Sequence, residues 1–289
     1  MRPATRAALV ATLAVAGPLA ALGSPGGAED CDPGELRDLL APGRALLLGE
    51  IHGSAEAPRL VGAAACAALG RGLPVTLALE IPREEEAALE EFLGSAGEES
   101  DRRRLLATPF WQRTYQDGRS SQAMAALLGA ARRLRAGSPS APRTVAALRV
   151  VLLDSAELQG RERDRHMGER LAAAIDERRV LIALVGNVHS RTSRGVPWDA
   201  AYEPAGLIAA GRRPGTVLSV LLVSPPGTVW SCTSADAASC GTRSLGGRAD
   251  AVAGRLELQP APRDGHDGTF GLQSLTASPP ATAAPGGDR

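Results

Sequence analysis

Two of the four histidines in this 289-residue chain stand at the same distance after a glycine, in GEIH at 49–52 and GNVH at 186–189. Imidazole is the side chain that binds metals, ligates haem and moves protons near neutral pH. Acids accompany it: Glu50 sits inside the first motif, Glu80 closes another apolar run, and Asp154 closes a third. Three chemistries fit these residue types. His52, His189 and Glu50 match the ligand set of a catalytic zinc or manganese site with an open water position. There Glu50 or Glu80 would act as ligand or general base, and a cation such as Arg163 would hold the developing oxyanion. Against this, the two histidines come from separate segments, with no His-Glu-x-x-His helix to fix their geometry. A metal-free site needs only one histidine, oriented by Glu50 or Glu80, to activate water. A haem site needs an axial ligand, for which His52, His189, Tyr115, Tyr202, Met124 and Met167 are the candidates. Ser54 and Ser190 follow the histidines but lack the Gly-x-Ser-x-Gly elbow of a serine nucleophile.

These side chains need elements to place them. Residues 45–48, 75–79, 148–153, 180–185 and 217–223 are continuous apolar runs, the pattern of strands covered on both faces. Helical patterns lie between or beside them at 57–69, 83–93, 120–134, 160–178 and 200–210. The alternation predicts an α/β fold, a mainly parallel sheet with helices on both faces. Ligands bind such sheets beyond the carboxyl ends of the strands, where Glu50, His52, Glu80, Asp154 and His189 all fall. The first, second and fourth runs must be neighbours for the histidines to meet Glu80. Arg163 lies one turn before Met167 on the apolar stripe Met167, Leu171, Ala174 and Ile175, so the first turn of its helix carries it to the same edge. His166 lies about 100° off that stripe and is expected at the surface.

Composition removes other classes. Net charge is zero and aromatics are 3% of residues, which leaves no electrostatic footprint or stacking platform for nucleic acid. All 32 basic residues are arginine, so no P-loop or Schiff-base lysine exists. Arg2, Arg6 and the apolar run 7–22 read as an export signal ending at Gly23 or Ala28. No later segment is apolar enough to span a membrane. The expected organisation is a signal over 1–28, one α/β domain over 29–276, and a disordered tail over 277–289, in an exported protein, periplasmic or secreted. Residues 137–144 read as a loop, and the aromatic-rich stretch 98–118 as a satellite core under a loop, with a lid as the other possibility. Cys232 and Cys240 look like a local clip, which leaves Cys31 and Cys66 for each other. A thiolate metal site is the competing reading, but no Cys-x-x-Cys spacing supports it.

Together GEIH, LALEIPREEEAALEEFL at 77–93, ERDRHM at 162–167 and GNVHSRTSRGVP at 186–197 resemble the ChaN-like haem-binding-uptake family, grouped with Tiki, TraB and erythromycin-esterase-like proteins. The resemblance runs over about residues 38–282. It implies an α/β domain whose site is made by Glu50, His52, Glu80, Arg163 and His189. It also implies haem or iron-linked binding as the leading function, possibly in iron uptake. Metal-dependent protease or esterase chemistry is the alternative. The ligand would be a small molecule or a peptide. The sequence departs from many relatives in carrying Gly53 and Ser54 directly after the first motif.

Overall fold

The computed structural model describes residues 31–138, 141–142 and 147–283; residues 1–30 with the expected signal, residues 139–140 and 143–146 with part of the expected loop, and residues 284–289 lie outside the described residues. In chain order the elements are β1 (Ala45–Glu50), α1 (Glu56–Gly70), β2 (Val75–Pro82), α2 (Glu86–Gly94), α3 (Glu99–Leu106), α4 (Pro109–Gln112), α5 (Gln122–Ala136), β3 (Gly137–Ser138), β4 (Ala141–Pro142), β5 (Leu148–Asp154), α6 (Gly160–Ala174), β6 (Val180–Gly186), α7 (Ala205–Arg212), β7 (Val217–Val223), β8 (Gly227–Cys232), β9 (Cys240–Leu245), β10 (Leu256–Arg263) and β11 (His266–Gly271).

A seven-stranded sheet runs β10-β11-β7-β1-β6-β2-β5 and is parallel except for the β10–β11 pair. All five apolar runs are strands of it. β1, β2 and β6 are buried along their whole length because successive side chains enter opposite helical layers. Leu46 and Leu48 join Leu77, Leu79, Val61 and Leu128 on the α1/α5 side. Ala45 and Leu47 join Leu181, Ala183, Met167 and Leu171 on the α6/α7 side. The topology makes the first, second and fourth runs neighbours, in the order β1-β6-β2.

Several boundaries differ from expectation, each for a local reason. The helix expected over 160–178 stops at Ala174, where Arg149 takes the Ala174 carbonyl at 2.8 Å and Arg213 takes those of Ala172 and Ile175 at 3.2 and 2.5 Å. The helix expected over 200–210 begins only at Ala205, after Pro204, because residues 195–202 form a tight turn with Val196 bridged to Asp199. The stretch 98–118 folds as α3, α4 and a loop, and its Trp111 is buried in the main α1/α5 core, so it is neither satellite nor lid. Residues 277–283, read as the start of a disordered tail, run along the domain: Ser278 donates its backbone N–H to Gly53 at 2.8 Å and Ala281 to Ser120 at 2.9 Å. Both cysteine pairings form, Cys31–Cys66 and Cys232–Cys240, which excludes the thiolate metal site.

Candidate functional site

Four adjacent strands deliver their polar exits to one sheet edge. β1 ends on Glu50, β2 places Glu80 near its end, β5 ends on Asp154, and β6 ends on Gly186, three residues before His189. Arg163 stands at the middle of this edge, in the first turn of α6. Its Nε and Nη2 donate to the two oxygens of Asp154, both at 2.7 Å. Nη2 also donates to Glu80 Oε1 at 2.6 Å, and Nη1 lies 2.9 Å from His189 Nε2. The planar fork thus ties three strand ends together.

His52 and His189 do meet around Glu80, as the shared motif implied. His52 Nε2 lies 3.3 Å from Glu80 Oε2, and His189 Nε2 lies 3.9 Å from Oε1. Gly186 lies beneath both rings: a Cβ there would stand 3.0 Å from His52 Nε2 and 3.4 Å from His189 Cδ2. Their environments nonetheless differ. His52 is bracketed by acids, with Nδ1 3.0 Å from Glu50 Oε1, so both ring nitrogens donate. Burial opposes the charge, but the Glu80 and Glu50 carboxylates outweigh it and push the His52 pKa up to about 10. His189 has an acid on one side only. Its Nδ1 lies 2.9 and 3.0 Å from the two oxygens of Asp164, while Nε2 faces a guanidinium that can only donate. These contacts are those of an Nδ1–H ring, with Nε2 on the arginine side.

Glu50 and Glu80 share His52 but respond in opposite directions. Burial raises Glu50, whose Oε2 is buried without a hydrogen-bond partner among the described residues. Burial would raise Glu80 as well, but His52 and Arg163 hold it well below the usual range, and Gly186 N–H donates to its Oε2 at 2.7 Å.

The sequence reading missed Asp164, Asp117 and Arg119. Asp164 is fully buried and accepts from His189, from the Tyr202 hydroxyl and from the Ala205 N–H at 2.9 Å. The clue was available: Asp164 lies three residues before Met167 and seven before Leu171, an acid on the apolar stripe itself. Arg119 donates to Asp154 Oδ2 at 2.6 Å and, through Nη2, to Asp117 Oδ2 at 2.8 Å. It arrives from the loop after α4, which no periodicity marks. Arg119 and Arg113 hold Asp117 far below the usual carboxylate range against its burial. The cluster opens on a cavity of about 540 Å³ lined by Arg113, Arg119, Arg163, His189 and Tyr202, with Phe110 among its apolar walls. That size suits a small molecule or a short peptide. Ser190 is buried and its hydroxyl donates to the Asn187 carbonyl at 3.1 Å, a turn-closing role. His166 is half-buried, not at the surface as expected, and does not line the cavity.

The expected metal ligands do not fit a metal. His52 has no lone pair to offer, the Nε2 of His189 is taken by Arg163, and the guanidinium stands where a cation would stand among the acids. Among the described residues no three His, Cys, Asp or Glu side chains form a group that could hold a metal ion. Of the tyrosine and methionine candidates for a haem ligand, Tyr115 is half-buried and three are engaged elsewhere. Tyr202 donates to Asp164, and Met124 and Met167 are buried in the two core layers.

The charge on His52 has a thermodynamic consequence. Its folded pKa, about 10, lies above the ordinary value of 6.5, so between these pH values the native state binds more protons than the unfolded one. The stabilisation is complete below about pH 6.5 and is lost as pH rises to about 10, with a slope on the order of 1 kcal/mol per unit. Urea melts at pH 6.5, 8 and 10 are expected to show this decline in the wild type and not in His52→Gln. Equal slopes would contradict the imidazolium.

No family model matches the chain, and no curated protein sequence matches it. Solved structures do. A succinoglycan biosynthesis protein aligns with a TM-score of 0.57 at 11% identity, over 86% of this chain and 94% of its own. A mutant of the erythromycin esterase EreC in its open conformation aligns at 0.54 and 11%, over 83% and 93%. ChaN of Campylobacter jejuni, solved with cofacially bound heme, aligns at 0.41 and 11%, over 73% and 91%. With the seven-stranded, mostly parallel sheet and its strand-end crevice in place, the chain is an α/β protein similar in fold to the succinoglycan biosynthesis protein and to the erythromycin esterase.

Proposed function

We propose that this chain is a metal-free hydrolase of a carbonyl ester, lactone or amide in a small molecule or short peptide, with His189 as general base. One observation supports the reading: Asp164 holds Nδ1 of His189, and Nε2 meets Arg163 at the wall of the cavity that both residues line. The expected orienting acid was Glu50 or Glu80; Asp164 takes that part instead. A water that replaces the Nε2–Arg163 contact sits between a base and a guanidinium. As its oxygen bonds to the substrate carbonyl carbon, its proton passes to Nε2, and Asp164 stabilises the imidazolium that forms. Arg163 and Arg119 face the developing oxyanion. Collapse breaks the bond to the leaving oxygen or nitrogen, which departs with the proton from Nε2. His52 does not line the cavity. Its charge offsets Glu80, which in turn anchors Arg163.

The resemblance favours haem or iron-linked binding and metal-assisted hydrolysis; the reading here keeps the hydrolysis and gives the oxyanion to Arg163 and Arg119, which line the cavity with His189. Two disulfides support the exported, periplasmic or secreted location. No helix among the described residues is long and apolar enough to cross a membrane.

The test is a panel of chromogenic esters, lactones and peptides, assayed before and after dialysis against a chelator. Turnover is expected to stay within about twofold after metal removal, whereas loss of a general base costs about 100-fold or more. Haemin titration is expected to give no Soret shift that depends on His52 or His189. Turnover restored only by added zinc or manganese, or a Soret shift abolished by His189→Ala, would overturn the proposal.

A further inference from the structure

The β8–β9 hairpin lies outside the seven-stranded sheet, pairs only with itself, and carries the Cys232–Cys240 disulfide across its last register pair. Isolated two-stranded hairpins are marginal in water, so a covalent clip that closes the 233–239 loop, two residues from Trp230, matters to its order. Its one aromatic residue, Trp230, reaches both loops that border the strand-end cluster. The Trp230 backbone N–H donates to the Gly53 carbonyl at 3.0 Å, next to His52. The indole Nε1–H donates to the Gln116 carbonyl at 3.0 Å, next to Asp117. The three backbones touch with no room for side chains. A Cβ on Gly53, which has φ +84°, would fall inside the Trp230 carbonyl. A Cβ on Gly118, at φ +96°, would stand 2.6 Å from Gly53 N and 2.9 Å from the His52 carbonyl carbon. Positive φ and this crowding both call for glycine.

We propose that the hairpin is a thiol-sensitive strap and Trp230 its positioning residue: it holds the His52 turn and the Asp117–Arg119 loop against each other, and reduction of Cys232–Cys240 releases them. Reduction by a small dithiol converts the cystine to two thiols while the dithiol closes to its own disulfide, so electrons and protons balance. The sheet core lies elsewhere, and residues 275–277 still anchor the hairpin base through Thr228, whose N–H donates to Leu275 O at 2.8 Å. Release is therefore local.

The strap is a structural claim, and its kinetic readout rests on the hydrolase reading above. Three proteins serve the test: the wild type with and without a dithiol reductant, the double variant Cys232→Ser/Cys240→Ser, and Trp230→Phe, which keeps the ring and loses the indole donor. Amide hydrogen exchange is read at Gly53 and at 116–118, together with kcat, KM and Tm. Faster exchange at both loops is expected in the reduced protein and both variants. With it, kcat falls about tenfold, since small displacements of a catalytic group are costly, while KM and the global Tm hold. Reoxidation restores the wild type, and the double variant no longer responds to the reductant. Unchanged exchange at both loops overturns the strap, whatever the activity. So does a loss of kcat that tracks a fall in Tm, because the residue would then be merely structural. Faster exchange in a protein that shows no hydrolysis at all leaves the strap standing and removes the hydrolase.

Discussion

Asp164→Asn is expected to lower kcat by about 10²- to 10⁴-fold, the share a positioned general base contributes, with KM little changed. The effect is large because Asp164 does two things for His189. It selects the Nδ1–H tautomer, and its charge stabilises the imidazolium formed when Nε2 takes a proton. An asparagine can keep a carbonyl oxygen toward His189 Nδ1 and the Ala205 N–H, each 2.9 Å from Asp164 Oδ1 in the native site. Its amide then faces the Tyr202 hydroxyl, which can turn to accept. The fold is expected to survive at a cost of about 1–3 kcal/mol, the penalty of an imperfectly matched buried polar group. Steady-state kinetics on whichever ester the panel identifies, with a denaturant melt of the same preparation, separates the two effects. A kcat within threefold of the wild type would remove His189 as the base, because Asp164 is the carboxylate at its Nδ1.

The largest loss of stability is expected for Arg163→Met. Methionine fills most of the volume but leaves Glu80 and Asp154, both nearly fully buried, without the guanidinium that bridges them, and only His52 remains close beside Glu80. Arg119 still reaches Asp154 at 2.6 Å but approaches Glu80 only to 3.6 Å. Breaking a buried ion pair by removing one partner costs about 3–5 kcal/mol, mostly the penalty of the charge left behind. Arg163→Lys is expected to recover only part of this, since an ammonium cannot reproduce the two-pronged contact with Asp154. The sign of the pH dependence follows from Glu80. In the wild type its pKa is depressed, so its contribution is present above the ordinary value of 4.5 and fades as pH falls through the folded pKa. In the variant that depression is smaller, with His52 still beside Glu80, and protonation relieves a carboxylate that has lost one of its cations. The gap between the two proteins, measured by urea melts from pH 7 down to pH 4, should therefore narrow toward acid. A constant gap would mean that the lost stability comes from packing of the arginine stem and not from charge.

Five of the parallel strands were legible because each is a short, predominantly apolar run, broken only by Thr76, Arg149 and Ser219, and β1, β2 and β6 are buried along their whole length. The antiparallel edge was not. β10 is largely exposed and β11 carries His266, Asp267, Gly268 and Thr269, so neither shows a hydrophobic period. The hairpin that touches both site loops is equally silent in hydropathy, and the clip Cys232–Cys240 was its one visible mark.

The same division holds for the site. Local pattern alone determined that Glu50, His52, Glu80, Asp154 and His189 leave strand ends, since apolar runs and glycine breaks are properties of neighbouring residues. It also placed Arg163 in a first helical turn at the same edge. Which acid serves which histidine was decided by strand order, helix placement and a loop from elsewhere in the chain. With β6 between β1 and β2, His52 lies between two carboxylates and is a cation; with α6 packed below the 187–190 turn, His189 receives Asp164 at Nδ1 and Arg163 at Nε2. Protonation state depends on through-space distance and burial, and neither quantity is written in the spacing of residues along a chain.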